Sequence, residues 1–164
     1  MTFAVQAVLG GTEAEARRRH RELEARIPIE AGLARLSGTL GIDFSTMELD
    51  RPFEEMATQA SQGLMKAMSA VFGGRRFTLR EAAIRWGLSV GMPQIIGTPE
   101  QVASELEAIW RESGCHGFNL SPLETPGSVA AFVDEVVPIL RRRGVYRRDY
   151  RATTFRGNLL DETA

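Results

Sequence analysis

Cysteine and histidine are scarce in this chain, positive charge is not in surplus, and long apolar runs are missing. One cysteine in 164 residues, Cys115, excludes an intrachain disulfide framework and a cysteine-rich zinc site, fits a reducing compartment, and reads as a small buried apolar residue. The two histidines, His20 and His116, are far apart and neither has a carboxylate at helical ligand spacing, so no metal site is expected. Lys and Arg total 20 against 21 Asp and Glu, which leaves no basic excess to neutralise a row of phosphates and excludes nucleic acid as the expected partner. No apolar stretch approaches the roughly 18 residues needed to cross a bilayer, and the front of the chain has no basic-then-apolar leader. A cytoplasmic protein with no membrane partner is expected. The length and 43% hydrophobic content suffice for one ordinary core.

What is present is a strand-then-helix pattern that recurs. Residues 3–9 form a nearly continuous apolar run ending at Gly10-Gly11, which predicts a strand covered on both faces. Thr12 and Glu15 have capping-box spacing, so a helix is predicted over 13–26, with His20 on its solvated side and Pro28 stopping it. Residues 28–92 are helical in pieces, broken by Gly38, Gly41, Pro52 and Gly73-Gly74, with Met56, Leu64, Met65, Met68, Val71 and Phe72 at apolar spacing as core contacts. Thr78 and Glu81 repeat the capping box before a short helix through Trp86 that ends near Gly87. The opening pattern then returns. Residues 94–96 are a strand, Gly97 a turn, Thr98 an N-cap, Pro99 the first helical position and Gln101 the partner in a third capping box. That helix runs to Gly114 and aligns Val102, Leu106, Ile109 and Trp110 on one face to cover a sheet. Residues 116–120 give the next strand and 121–128 a loop. A last helix spans 129–143, bent by Pro138 and capped by Gly144. Three βα units imply parallel pairing, in either a doubly wound sheet or a (β/α) barrel.

Four segments in order sharpen this reading: Val8-Leu9-Gly10-Gly11-Thr12-Glu13-Ala14-Glu15-Ala16; Leu36-Ser37 through Gly41-Ile42-Asp43-Phe44-Ser45 to Leu49-Asp50-Arg51-Pro52; Ile96-Gly97-Thr98-Pro99-Glu100-Gln101-Val102-Ala103; and Gly117-Phe118-Asn119-Leu120 onward to Arg156. Together they resemble the C-terminal part of the bacterial-luciferase-like, FMN-dependent monooxygenases, in the branch of nitrilotriacetate monooxygenase component A and dibenzothiophene-sulfone monooxygenase. The resemblance implies an α/β fold, the C-terminal portion of a TIM (β/α)8 barrel, with about three βα units as strands six to eight. The chain, 1–164, is then one partial barrel domain with a helical insertion at 28–92 and a C-terminal tail at 144–164. Reduced FMN supplied by a separate flavin reductase, with O2, would oxidise a small organic substrate. Most flavin contacts of the family lie on its first five units, so no catalytic residue is assigned and the cofactor-binding residues stay unknown. His116 stands where relatives carry an acidic residue.

Barrel enzymes place their chemistry at the C-terminal ends of strands. The substrate-pocket candidates are therefore Gln59, Gln62, Phe118, Asn119, Leu120 and Ser121, as wall rather than reacting groups. Gly10-Gly11-Thr12 and Gly97-Thr98 each precede a helix and read as a turn followed by a cap, with an anion cradle as the sharper alternative. The arginines at 141–143, with Arg147, Arg148 and Arg151, read as a solvated or subunit-packing edge. Open sheet edges call for a partner, either missing N-terminal barrel units or a second copy in a homo-oligomer. A noncatalytic partial barrel that associates through those edges is the alternative function.

Overall fold

The computed structural model describes residues 1–53, 69–70 and 72–159. Three strands, β1 (Thr2–Leu9), β2 (Gln94–Gly97) and β3 (Gly117–Leu120), form one parallel sheet in the order β2-β1-β3. β1 is shared end to end: Gln6 to Leu9 pair with β2, and Thr2 to Val5 pair with β3. Because side chains alternate along a strand, this register sorts them onto two faces. Val5, Ala7, Leu9, Ile95, Phe118 and Leu120 share one apolar cluster with Val102, Ala103 and Leu106 of α4 (Pro99–Ser113) and with Val136, Ile139 and Leu140 of the last helix. Gln6 points the other way. Its carbonyl oxygen accepts from Gln94 Nε2 at 2.9 Å, and Gln94 Oε1 lies 2.8 Å from His20 Nε2 on α1 (Glu13–Ala25), so α1 covers that second face.

This layering departs from the sequence-based expectation in one respect. Three consecutive barrel strands would pair in chain order and carry their helices on one side. Here the first strand is central, so the two crossovers step in opposite directions across the sheet, and right-handed connections then put α1 and α4 on opposite faces. The parallel α/β reading holds. Among the described residues the pairing itself is β1 with both β2 and β3.

A second core lies apart from the sheet. α2 (Ile29–Leu40) crosses α3 (Leu79–Ser89), and Leu36, Phe44, Phe53, Phe77, Leu79, Ala82 and Trp86 are buried between and beside them. The Phe53 and Phe77 rings stack with centroids 5.2 Å apart. The crossing is close because both helices present glycine: a Cβ on Gly32 would run into the Ala83 carbonyl oxygen, and one on Gly87 would lie 3.2 Å from the Gly32 Cα. Gly87 therefore serves as a helix contact, not a terminus, and α3 continues to Ser89 before Val90 turns left-handed at φ 51°. Gly38 likewise lies inside α2, which ends at Gly41 with φ 69°. Gln59, Gln62, Met56, Leu64, Met65, Met68 and Val71 fall outside the described residues.

The caps follow the sequence closely. Thr78 with Glu81 and Thr98 with Gln101 make complete capping boxes. At α1 the box is displaced: the Thr12 hydroxyl accepts from Glu15 N–H, but the Glu15 carboxylate reaches past Thr12 to the Gly11 N–H at 3.0 Å. The last helix runs as α5 (Gly127–Ala131), a π turn (Phe132–Val136) and α6 (Val137–Arg142). Pro138 explains the π turn, since it has no N–H to donate and its ring crowds the carbonyl four residues back, which the wider turn relieves. Trp110, expected on the sheet-covering face of α4, is 40% exposed and has the Arg111 guanidinium 5.8 Å from its ring centre. A short α7 (Phe155–Leu159) ends the described chain.

Candidate functional site

The C-terminal ends of the strands are tied together by backbone and side-chain bonds. Gly10 N–H donates to the Gly97 carbonyl at 3.2 Å, Ser121 N–H to the Val5 carbonyl at 2.9 Å, and Arg19 Nη1 to the Leu9 carbonyl at 2.9 Å. Gly10 is needed here, because a Cβ would strike the Ala16 backbone where α1 passes over the strand end. Both glycine turns settle as caps. Gly11 N–H is taken by Glu15 and Thr98 N–H by Gln101 Oε1 at 2.9 Å, so each turn carries a capping bond of its own. Gln101 Nε2 also donates to Glu13 Oε2 at 3.3 Å, joining the starts of α1 and α4, and Arg17 and Gln101 together hold the Glu13 carboxyl below its ordinary range.

Beside these ends is an enclosed space of about 120 Å³ lined by Ala7, Leu9, Arg19, Leu23, Glu124 and Ser128. At roughly 30 Å³ per water it takes a few waters. That space is too small for a flavin mononucleotide; a wider, more open cleft of about 690 Å³ lies between the starts of α1 and α4, lined by Glu13, Arg17, Gln94, Ile96, Gln101 and Ser104.

The candidate wall residues divide between the two faces of the sheet. Phe118 and Leu120 pack against the apolar cluster under α4. Asn119 is exposed on the opposite face beside Ala4, and Ser121 follows two positions on, half-buried. His116 is exposed and precedes β3, with Nδ1 2.8 Å from the Met1 amine, at the end of the sheet remote from Gly10 and Gly97. His20 differs from expectation. Its side chain is only 12% exposed, held between Gln94 and Glu24, because α1 lays that position against β2 rather than toward solvent. Sequence reasoning passed over the Gln6–Gln94–His20 chain, whose signal was a lone amide, Gln6, within an otherwise apolar strand. Among the described residues no three His, Cys, Asp or Glu side chains gather as a metal ion requires, and no helix is long and apolar enough to cross a membrane.

A parallel sheet with helices on both faces and a separate helical core defines this chain as an α/β protein with an appended helical unit. No protein-family model matches it. It is 35% identical over 161 residues to the dibenzothiophene-sulfone monooxygenase of Rhodococcus erythropolis, covering 95% of this chain and 36% of that protein. Its structure superposes on DmoA from Hyphomicrobium sulfonivorans with a TM-score of 0.85 at 28% identity, over 99% of this chain and 34% of DmoA. It also matches the riboflavin lyase RcaE, a structure holding modified FMN and riboflavin, with a TM-score of 0.74 at 31% identity over 99% of this chain and 35% of RcaE. It is likewise 34% identical over 151 residues to nitrilotriacetate monooxygenase component A of Aminobacter aminovorans, covering 90% of this chain and 33% of that protein. It spans about a third of the length of the curated relatives it matches.

Proposed function

We propose that this chain forms one structural part of an FMN-dependent monooxygenase that uses reduced flavin and O2 to oxidise a small organic substrate. The observation that carries the reading is the agreement between sequence and shape: 35% identity over 95% of the chain to one such monooxygenase and a TM-score of 0.85 to DmoA. The flavin is held mainly by the two thirds of such an enzyme that this chain does not span. This chain contributes wall and scaffold. Asn119 and Ser121 offer polar groups on one face of β3, while Phe118 and Leu120 brace the strand from behind. Residues 1–164 act as one partial domain, with 28–92 as an insertion, a boundary supported by the separate apolar core of α2 and α3, and 144–164 as a tail. The remaining strands of the barrel come from the part of such an enzyme that this chain does not span, and a flavin reductase in the cytoplasm supplies the reduced cofactor.

The test is a chimera in which this chain replaces the matching third of DmoA. With FMN, NADH and a flavin reductase, the reading expects oxidation of a small sulfide above the rate of the reductase alone. A folded chimera that consumes no substrate overturns it.

A further inference from the structure

The enclosed space beside the strand ends combines two features that the flavin reading leaves unused, an apolar lining and an uncompensated cation. The apolar part comes from three elements: Ala7 and Leu9 of β1, Leu23 of α1, and Leu123 and Ala131 from the segment after β3. Leu23 and Leu123 are half-buried and belong to neither apolar core, so the space is what they line. An apolar cavity of about 150 Å³ holds benzene, so a space of about 120 Å³ admits a molecule of about five non-hydrogen atoms.

The cation is Arg19. Its bond to the Leu9 carbonyl fixes it at the end of β1 and uses one of the five N–H donors of a guanidinium. The carboxylates of its own helix serve other groups: Glu13 pairs with Arg17 at 2.6 Å, Glu15 accepts from Gly11 N–H at 3.0 Å, Glu22 lies 3.6 Å from Arg18, and Glu24 lies 3.5 Å from His20. Arg19 has no carboxylate partner among the described residues. The acid in the lining, Glu124, lies 3.5 Å from Arg26, so its charge is met from elsewhere on the chain. The Ser128 hydroxyl is likewise engaged, donating to the Glu124 carbonyl and accepting from Glu124 N–H at 3.3 Å. What remains unpaired at the space is one fixed positive charge.

We propose that this space binds a small aliphatic carboxylate of the size of acetate or propionate, with its oxygens on Arg19 and its alkyl end against Leu23, Leu123 and Ala131. A guanidinium matches a carboxylate in charge and in planar geometry, and the apolar lining excludes water from the alkyl end. So placed, the acid ties α1 to the loop that follows β3. The proposal goes beyond the flavin reading and does not rest on it, since binding is measured without cofactor.

Methyl-resolved NMR of the intact 164-residue chain, titrated with sodium propionate to about 100 mM with sodium chloride holding the ionic strength constant, tests it. The expected result is saturable shifts at the methyl groups of Ala7, Leu23, Leu123 and Ala131, with a dissociation constant of about 1–10 mM. Propionamide, which has the same shape without the charge, should bind about tenfold more weakly or worse. Arg19→Met keeps the stem and removes the charge, and Leu23→Phe fills the space with the charge intact; each should weaken propionate by about tenfold or more. Arg18→Met, one position along the helix, should leave the affinity unchanged. The methyl signals of the α2 and α3 core report that each variant is folded. A titration of the unaltered chain that does not saturate overturns the proposal, as does propionamide binding as well as propionate, and neither result depends on a variant. An affinity undiminished in Arg19→Met or Leu23→Phe, or lost equally in Arg18→Met, also overturns it and assigns the anion to the general charge of α1.

Discussion

At the scale of single residues, the helix starts are where sequence and structure agree most closely. Thr98 accepts from Gln101 N–H while Gln101 Oε1 accepts from Thr98 N–H, so two otherwise orphaned donors are satisfied by side chains three positions apart. Thr98→Ala removes the cap and should cost about 1 kcal/mol, read as a lower urea midpoint at unchanged slope. Glu81 has a double role: it accepts from Thr78 N–H at 2.8 Å and pairs with Arg75 at 2.8 Å. The Arg75 guanidinium, more than the cap amide, holds the Glu81 carboxyl below its ordinary range. A depressed carboxylate contributes stability that is present above its unfolded value, about 4.3, and is lost as pH falls through the folded value. Glu81→Gln keeps an acceptor for the cap but gives up the charge. Its deficit in urea midpoint should therefore be visible at about pH 6 and shrink toward about pH 3; an equal deficit at both values contradicts this account of Glu81.

At the scale of elements, glycine was the most misleading signal in the sequence, because its meaning depends on what approaches from outside the helix. Gly38 and Gly87 read as breaks, yet both lie within helices. Gly87 and Gly32 permit α2 and α3 to cross closely, while a Cβ on Gly38 would meet nothing within 4 Å. The two positions therefore predict opposite outcomes. Gly32→Ala should destabilise by about 1–3 kcal/mol through collision with the Ala83 carbonyl. Gly38→Ala should stabilise by about 0.5–1 kcal/mol by removing backbone freedom from an open helical site. Thermal or urea unfolding of the pair decides it: if both lower the midpoint, the close-crossing explanation is wrong. Strands were more legible than glycines, since the continuous apolar run of β1 and the short runs of β2 and β3 each became parallel strands. Their order was not legible. Three βα units fit either sheet architecture, and only the pairing of β1 with both others distinguishes them.

At the scale of the whole molecule, the sequence motifs pointed to the same monooxygenases that the chain proves similar to, while the site residues stayed diffuse for a physical reason. A pocket wall assembled from strand ends has no spacing of its own, and Phe118 and Asn119, adjacent in sequence, face opposite sides of β3. His20 shows the same limit. Its position among arginines suggests a solvated face, and only the seating of α1 on β2 turns it toward Gln94. The proposed role as part of a flavin enzyme rests on the match in shape to DmoA, at a TM-score of 0.85. The most direct measurement is the dissociation constant for FMN of a DmoA chimera carrying this chain, by fluorescence titration against DmoA itself. The account predicts saturable binding within about tenfold of the parent, a difference under 1.4 kcal/mol. A chimera that unfolds cooperatively at the parent's temperature yet takes up no flavin contradicts it.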